Sequence, residues 1–205
     1  MNRRDLLTGF ALVPFATTFA AGQTTNTIQT AKGGPPADYF PNYTLKTHEG
    51  KEVKFYDDLI KSKVVVINMM YAQCTGICPG MTANLVKVQK ILGERVGRDI
   101  FMYSLTLQPR QDTSAELKEY AEMFKVQPGW LFLTGKPAEM DVLRRKLGFS
   151  DPDPLVDKDK TQHTGLVRYG NETLDRWAAC PALSNPEQIA KSILWMENPK
   201  TSKHS

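Results

Sequence analysis

The sequence predicts an α/β domain, with a central mixed sheet flanked by helices and an N-terminal β-hairpin. Three observations predict it. Residues 63–70, Lys63-Val64-Val65-Val66-Ile67-Asn68-Met69-Met70, are a nearly continuous β-branched and apolar run, the pattern of a strand buried on both faces. Strand-like and helix-like stretches then alternate along the chain, the order that builds a sheet covered by helices. A second hairpin pattern near the end is followed by one last helix.

Each element has its own local signal. Residues 43–47 and 53–55 flank His48-Glu49-Gly50-Lys51, a polar turn between two short strands. After the 63–70 strand, residues 81–92 place Leu85, Val88, Ile91 and Leu92 on one helical face, and Gly93 ends the helix. Residues 100–107 read as a second strand. Asp112-Thr113-Ser114 then precedes a helix over 115–124, with Leu117, Tyr120, Ala121 and Phe124 on its apolar side. Residues 130–133 are a short third strand. Pro137 sits where a first-turn proline belongs, and that helix runs to Leu147 before Gly148. Residues 151–162 form a charged loop with two prolines. Residues 164–169 and 174–177 flank Gly170-Asn171 as a hairpin, and 186–196 close the chain as a helix. A hairpin followed by a terminal helix is what a thioredoxin-like domain shows, although periodicity alone does not single that fold out.

Before this domain stands an address. Arg3 and Arg4 open a basic stretch, residues 6–21 are weakly apolar, and Ala20-Ala21-Gly22 offer a cleavage site. The string Asn2-Arg3-Arg4-Asp5-Leu6-Leu7 resembles a twin-arginine export signal. The expected organisation is an export signal at 1–22, a linker at 23–41, one domain at 42–197 and a polar tail at 198–205. The expected location is the periplasm, soluble after cleavage, with an uncleaved membrane anchor as the alternative.

Composition narrows the function classes. The 205 residues include 26 Lys+Arg and 22 Asp+Glu, a net charge of +4, without the basic stripe that nucleic-acid binding needs. No apolar run reaches the ~18–20 residues of a membrane span. Three cysteines are too few for a disulfide scaffold, so their placement matters.

Two of them stand together in Cys74-Thr75-Gly76-Ile77-Cys78-Pro79, between the buried strand and a helix. The C-terminal edge of such a strand is a usual place for a site. A thiol at a helix N-terminus faces backbone N–H groups and the positive end of the helix dipole, which lowers its pKa. A spacing of four is one helical turn, so both sulfurs can point the same way. Two such thiols bind Cu(I) or Zn(II), act as a redox pair, or close as an inert disulfide. Spacing does not choose between these outcomes.

In this context the chain resembles the Sco/SenC family of copper-binding, thioredoxin-like proteins, over about residues 41–196. The resemblance rests on the Cys-x-x-x-Cys-Pro of Cys74 to Pro79, the later His163-Thr164, the stretch Gln108-Pro109-Arg110-Gln111-Asp112-Thr113, and Trp130-Leu131-Phe132-Leu133-Thr134-Gly135. It implies a periplasmic copper protein, holding Cu(I) or Cu(II) on Cys74, Cys78 and His163, with Cys74 and Cys78 also a redox-active pair. The implied partner is cytochrome c oxidase subunit II or another copper-receiving protein. Another periplasmic copper donor or a thiol reductant would be a second partner. The protein would act by ligand exchange rather than turnover. The alternative is a thiol–disulfide oxidoreductase that reduces partner cysteines without carrying metal, and a peroxidase-like relative ranks third.

Two positions depart from the family. Gln162 stands where an Asp often precedes the ligand histidine, and Gln108 replaces another frequent Asp. A carboxylate that orients His163 would then come from Asp157 or Asp159. Of the remaining residues, His48 and His204 read as surface positions and Cys180 as a small packed side chain. Met69, Met70 and Met81 read as core, and so do Trp130, Phe132 and Trp177. Lys158, Lys160 and Arg168 read as a solvated basic face near His163.

Overall fold

A computed structural model describes residues 39–158 and 165–197. The export signal, most of the 23–41 linker, His163, His204 and the 198–205 tail lie outside the described residues.

The chain opens with β1 (Thr44–Thr47) and β2 (Glu52–Lys54), then a π-helical turn, Phe55–Ile60. It continues through β3 (Val64–Met70), α1 (Ile77–Leu92), β4 (Ile100–Thr106), α2 (Ser114–Met123), β5 (Trp130–Thr134) and α3 (Pro137–Lys146). A short α4 (Pro154–Lys158) follows, then β6 (Leu166–Asn171), β7 (Arg176–Pro181) and α5 (Pro186–Leu194). Among the described residues the strands form one sheet, ordered β2-β1-β5-β4-β3-β6-β7. Neighbours β3, β4 and β5 run parallel, while β1 joins β5 and β6 joins β3 antiparallel. This is the mixed, helix-flanked sheet with an N-terminal hairpin that the sequence predicts.

The continuous apolar run of β3 follows from its central position. Alternate residues feed opposite faces of the sheet. Val64, Val66 and Met70 join a core with Leu85 and Val88 of α1, Leu117 of α2, and Ile189 and Ile193 of α5. Val65, Ile67 and Met69 join another with Phe40, Leu45, Phe55 and Leu143 of α3. Asn68 breaks the run at no cost in unpaired polar atoms. Its Oδ1 accepts from Ser104 Oγ at 2.7 Å, and Ser104 Oγ accepts from Trp130 Nε1 at 2.9 Å. Phe40, at the end of the linker, is buried against Phe55 and Trp177.

Several boundaries differ from the sequence reading, each for a physical reason. Helix α1 begins at Ile77, not at 81, so Cys78 and Pro79 lie inside its first turn. The apolar stripe starts only at Met81, whereas a proline in the first turn loses no hydrogen bond and hides the true start. The β6–β7 turn is not Gly170-Asn171. Those residues pair with Trp177 and Arg176 within the ladder, and the turn runs through residues 172–175, with Asp175 at φ +51°. Gly170 is glycine because a Cβ there would overlap the Trp177 ring, not because the chain reverses. Residues 55–60 and 154–158 form short helices that no periodicity announced.

Candidate metal centre

The site begins where β3 ends. Residues 71–76 leave the C-terminal edge of the parallel strands and deliver the chain to the N-terminus of α1. Cys74 lies in this loop and is 6% exposed; Cys78 lies in the first turn of α1 and is 0% exposed. All three cysteines of the chain are thiols. The Cys74 N–H donates to Tyr71 O at 3.3 Å, folding the loop into a tight turn.

The two sulfurs share a hydrogen bond but sit in unequal surroundings. Burial pushes the Cys74 thiol up, yet hydrogen bonds from the Cys78 thiol, the Tyr71 side chain and the Cys78 and Gly76 N–H groups outweigh it, so its pKa is lowered. Cys78 is pushed up to about 12, first by burial and then by donating its proton toward Cys74. The two thiols therefore differ: Cys74 ionises more readily than an ordinary cysteine and Cys78 less readily.

The loop is held from below. Asp112, 1% exposed, accepts from the Ala72 N–H with both oxygens, at 3.3 and 3.2 Å, and from the Thr106 hydroxyl. Burial raises the Asp112 pKa despite these hydrogen bonds. Tyr120 of α2 reaches under α1, its hydroxyl 2.9 Å from Thr82 Oγ1, and burial raises its pKa. Neither residue was singled out on chemical grounds from the sequence. The only signal for Asp112 is its position in the stretch 108–113, just before α2.

The structure brings together Cys74 and Cys78 of the expected ligand set. Among the described residues no three His, Cys, Asp or Glu side chains cluster as a metal site, and His163 lies outside them. Met69, Met70 and Met81 are buried core, as expected. Asp157, one of the two carboxylates expected to orient His163, is engaged by Arg144. Arg144, 4% exposed, takes both of its oxygens, Nη2 to Oδ2 at 2.6 Å and Nη1 to Oδ1, and Asp157 Oδ1 also accepts from the Asp151 N–H at 2.9 Å. Asp159 lies outside the described residues.

Three other readings change in detail. Arg168 is not on a solvated face: it is half-buried, its Nη1 donates to Leu147 O, and burial lowers its pKa. His48 is more than a surface turn residue. Its N–H donates to Phe132 O at 2.8 Å and its Nδ1 accepts from the Phe132 N–H at 3.1 Å, sealing the hairpin turn onto β5. Burial lowers its pKa, against the opposing charge of Glu49. Cys180 is half-buried in β7 opposite Val167, and burial raises its pKa while a hydrogen bond with Tyr169 opposes that.

Comparison with known proteins adds to this geometry. The family model described as SCO1/SenC matches residues 31–196. The SCO1 protein homolog of Bacillus subtilis is 30% identical over 95 residues, covering 45% of this chain and 47% of that protein. The SCO2-like protein of Rickettsia felis is 27% identical over 146 residues, 68% of each chain. This chain thus spans about half to two-thirds of the length of these relatives. Among solved structures, ScoI of Bradyrhizobium japonicum, crystallised with copper bound, superposes with a TM-score of 0.61 at 23% identity, covering 76% of this chain and 97% of that one. A SCO1/SenC family lipoprotein from Bacillus anthracis gives 0.62 at 23% identity, covering 75% and 92%. At these identities the structures establish the thioredoxin-like fold.

Proposed function

The chain belongs to the SCO1/SenC family, and from that premise we propose that it is an exported, periplasmic copper-binding protein. It delivers copper to, or prepares the thiols of, the binuclear copper site of a respiratory cytochrome c oxidase. The carrying observation is the unequal thiol pair of Cys74 and Cys78 at the start of α1. The relatives support the cargo and the pathway: Sco proteins of Bradyrhizobium japonicum and yeast crystallise with copper, and BsSco is described as a member of a family of cytochrome c oxidase assembly proteins.

The donor set fits the cargo. Two sulfurs one helical turn apart are soft ligands suited to Cu(I), and the His163 imidazole is proposed as the harder third ligand that also accommodates Cu(II). Ligands bind deprotonated, so loading must release the Cys78 proton. Cys74 keeps a small exposure and Cys78 none. A partner's thiol therefore meets the metal on the Cys74 side, and transfer proceeds by exchange of ligands with Cys78 released last.

The unequal pair also favours a second reading, a thiol–disulfide oxidoreductase. The Cys74 thiolate would attack a partner disulfide, forming a mixed disulfide and releasing one partner thiolate. Cys78, losing its proton, would then attack Cys74 Sγ and release the second partner thiolate, leaving a Cys74–Cys78 disulfide. The partner gains the two electrons that the pair loses.

Copper stoichiometry on the reduced protein separates these. Close to one copper per chain is expected, abolished by Cys74→Ala or Cys78→Ala. If His163→Ala altered neither the Cu(II) spectrum nor the affinity, the three-ligand site would fail. Fast disulfide exchange with a partner peptide, indifferent to copper, would replace the metallochaperone reading with the reductase. Export is tested by fractionation, where Arg3→Lys with Arg4→Lys should strand the protein in the cytoplasm.

A further inference from the structure

The loop that carries Cys74 has no regular secondary structure of its own, and one buried carboxylate reaches it from another part of the chain. A line of hydrogen bonds runs from the end of β4 to this loop. The Gln108 N–H donates to Thr106 Oγ1 at 2.9 Å, the Thr106 hydroxyl donates to Asp112 Oδ2, and Asp112 accepts from the Ala72 N–H. Each of these groups is thereby satisfied inside the protein. The Asp112 N–H in turn donates to Gln108 O at 2.9 Å, which holds the Asp112 main chain in the turn. Leu107 N donates to Met70 O at 2.8 Å, which ties the root of the 107–112 segment to the last residue of β3.

We propose that Asp112 is a positioning residue for copper binding, acting through the Ala72 amide to set where Cys74 Sγ stands relative to Cys78. This rests on the copper reading above and adds a residue to it. Ala72 is two residues before Cys74, and the turn between them is closed by the Cys74 N–H to Tyr71 O bond. With the Ala72 amide held, the loop has one path into α1. With it released, Tyr71 and Cys74 can rotate together, and the hydrogen bonds that converge on Cys74 Sγ lose their geometry. A metal site that needs two sulfurs at fixed separation registers such a rotation directly, and groups that orient metal ligands typically contribute about 10- to 100-fold in affinity.

The test compares Asp112→Ala, Asp112→Asn and Thr106→Val in the full chain, with copper affinity, the thiolate-to-copper absorption band and the iodoacetamide reaction rate of Cys74 in metal-free protein. Asp112→Ala should weaken copper binding about 10-fold or more, shift the absorption band and slow Cys74 alkylation. Asp112→Asn, whose amide oxygen still accepts from Ala72, should recover most of each loss. Thr106→Val, which leaves Asp112 in place but unanchored, should give a smaller loss in the same direction. A folded Asp112→Ala protein with wild-type affinity, band and alkylation rate would overturn the proposal. So would an Asp112→Asn protein no better than Asp112→Ala, since charge rather than positioning would then be the cause. Should Asp112→Ala not fold, the Asn and Val variants decide alone, and wild-type values in Thr106→Val would overturn it. If the wild-type protein bound no copper, the functional reading would fail by itself, and the alkylation rates of the metal-free variants would still decide the role of Asp112.

Discussion

The loop between β3 and α1 and the β6–β7 ribbon each carry buried or half-buried cysteine, and they treat it in opposite ways. In the ribbon, Cys180 sits in a regular ladder whose N–H groups are spent on strand pairing. Burial raises its pKa, and only Tyr169 opposes this. In the loop, Cys74 is also buried, yet its pKa falls, because the Cys78 thiol and the Tyr71 side chain, and after them the N–H groups of Cys78 and Gly76, donate to its sulfur. Burial does not decide whether a thiol is poised. The hydrogen-bond donors gathered around the sulfur do.

The sharpest test of this contrast is chemical. At neutral pH iodoacetamide should label Cys74 about ten-fold or more faster than Cys78 or Cys180, since the thiolate is the reacting form. Peptide mapping by mass spectrometry reads the order directly, and first labelling of Cys180 would break the comparison. Second in size is Gly170→Ala, which forces a Cβ into the Trp177 ring. Overpacking of this kind should cost about 1–3 kcal/mol in urea unfolding, while leaving the Cys74 labelling rate unchanged because the strain falls on the ribbon.

A third test asks whether burial governs a group whose neutral form accepts a hydrogen bond. The folded protein holds His48 below its ordinary value of 6.5, mainly by burial, so the unfolded chain binds its proton more readily. The His48 contribution to stability is therefore complete above about pH 6.5 and is lost as the pH falls below it. His48→Gln keeps an acceptor for the Phe132 N–H but cannot titrate. Denaturation midpoints from pH 7.5 to 5 should drop more for wild type than for the variant, and parallel profiles would refute this. The smallest effect is expected for Cys180→Ser. It should leave copper stoichiometry and Cys74 labelling at wild-type values, with a stability change of about 1 kcal/mol or less. Loss of copper binding in that variant would bring Cys180 into the site.

The sites differ in how far local sequence reveals them. Cys74 and Cys78 were legible because strand, turn and helix start are all written within 16 residues. The start of α1 lies four residues before the stripe that predicts it, since that stripe begins only at Met81. Asp112 was visible as part of a family-like stretch, but its role was not. It acts on Ala72, 40 residues away, and no periodicity links those positions. The same holds for His48 and Phe132, 84 residues apart, and for Arg144, which reaches Asp157 in the next short helix.

By itself the sequence determined the order of the strands and longer helices, the mixed sheet and the place of the thiol pair, because hydrophobic periodicity and cysteine spacing are local properties. Only the tertiary structure decided which thiol ionises more readily, which carboxylate accepts from the loop's Ala72 amide, and why Gly170 lies in a strand rather than a turn. Those outcomes depend on burial and on contacts between residues far apart in sequence, such as Asp112 with Ala72, and a chain acquires both only when it folds.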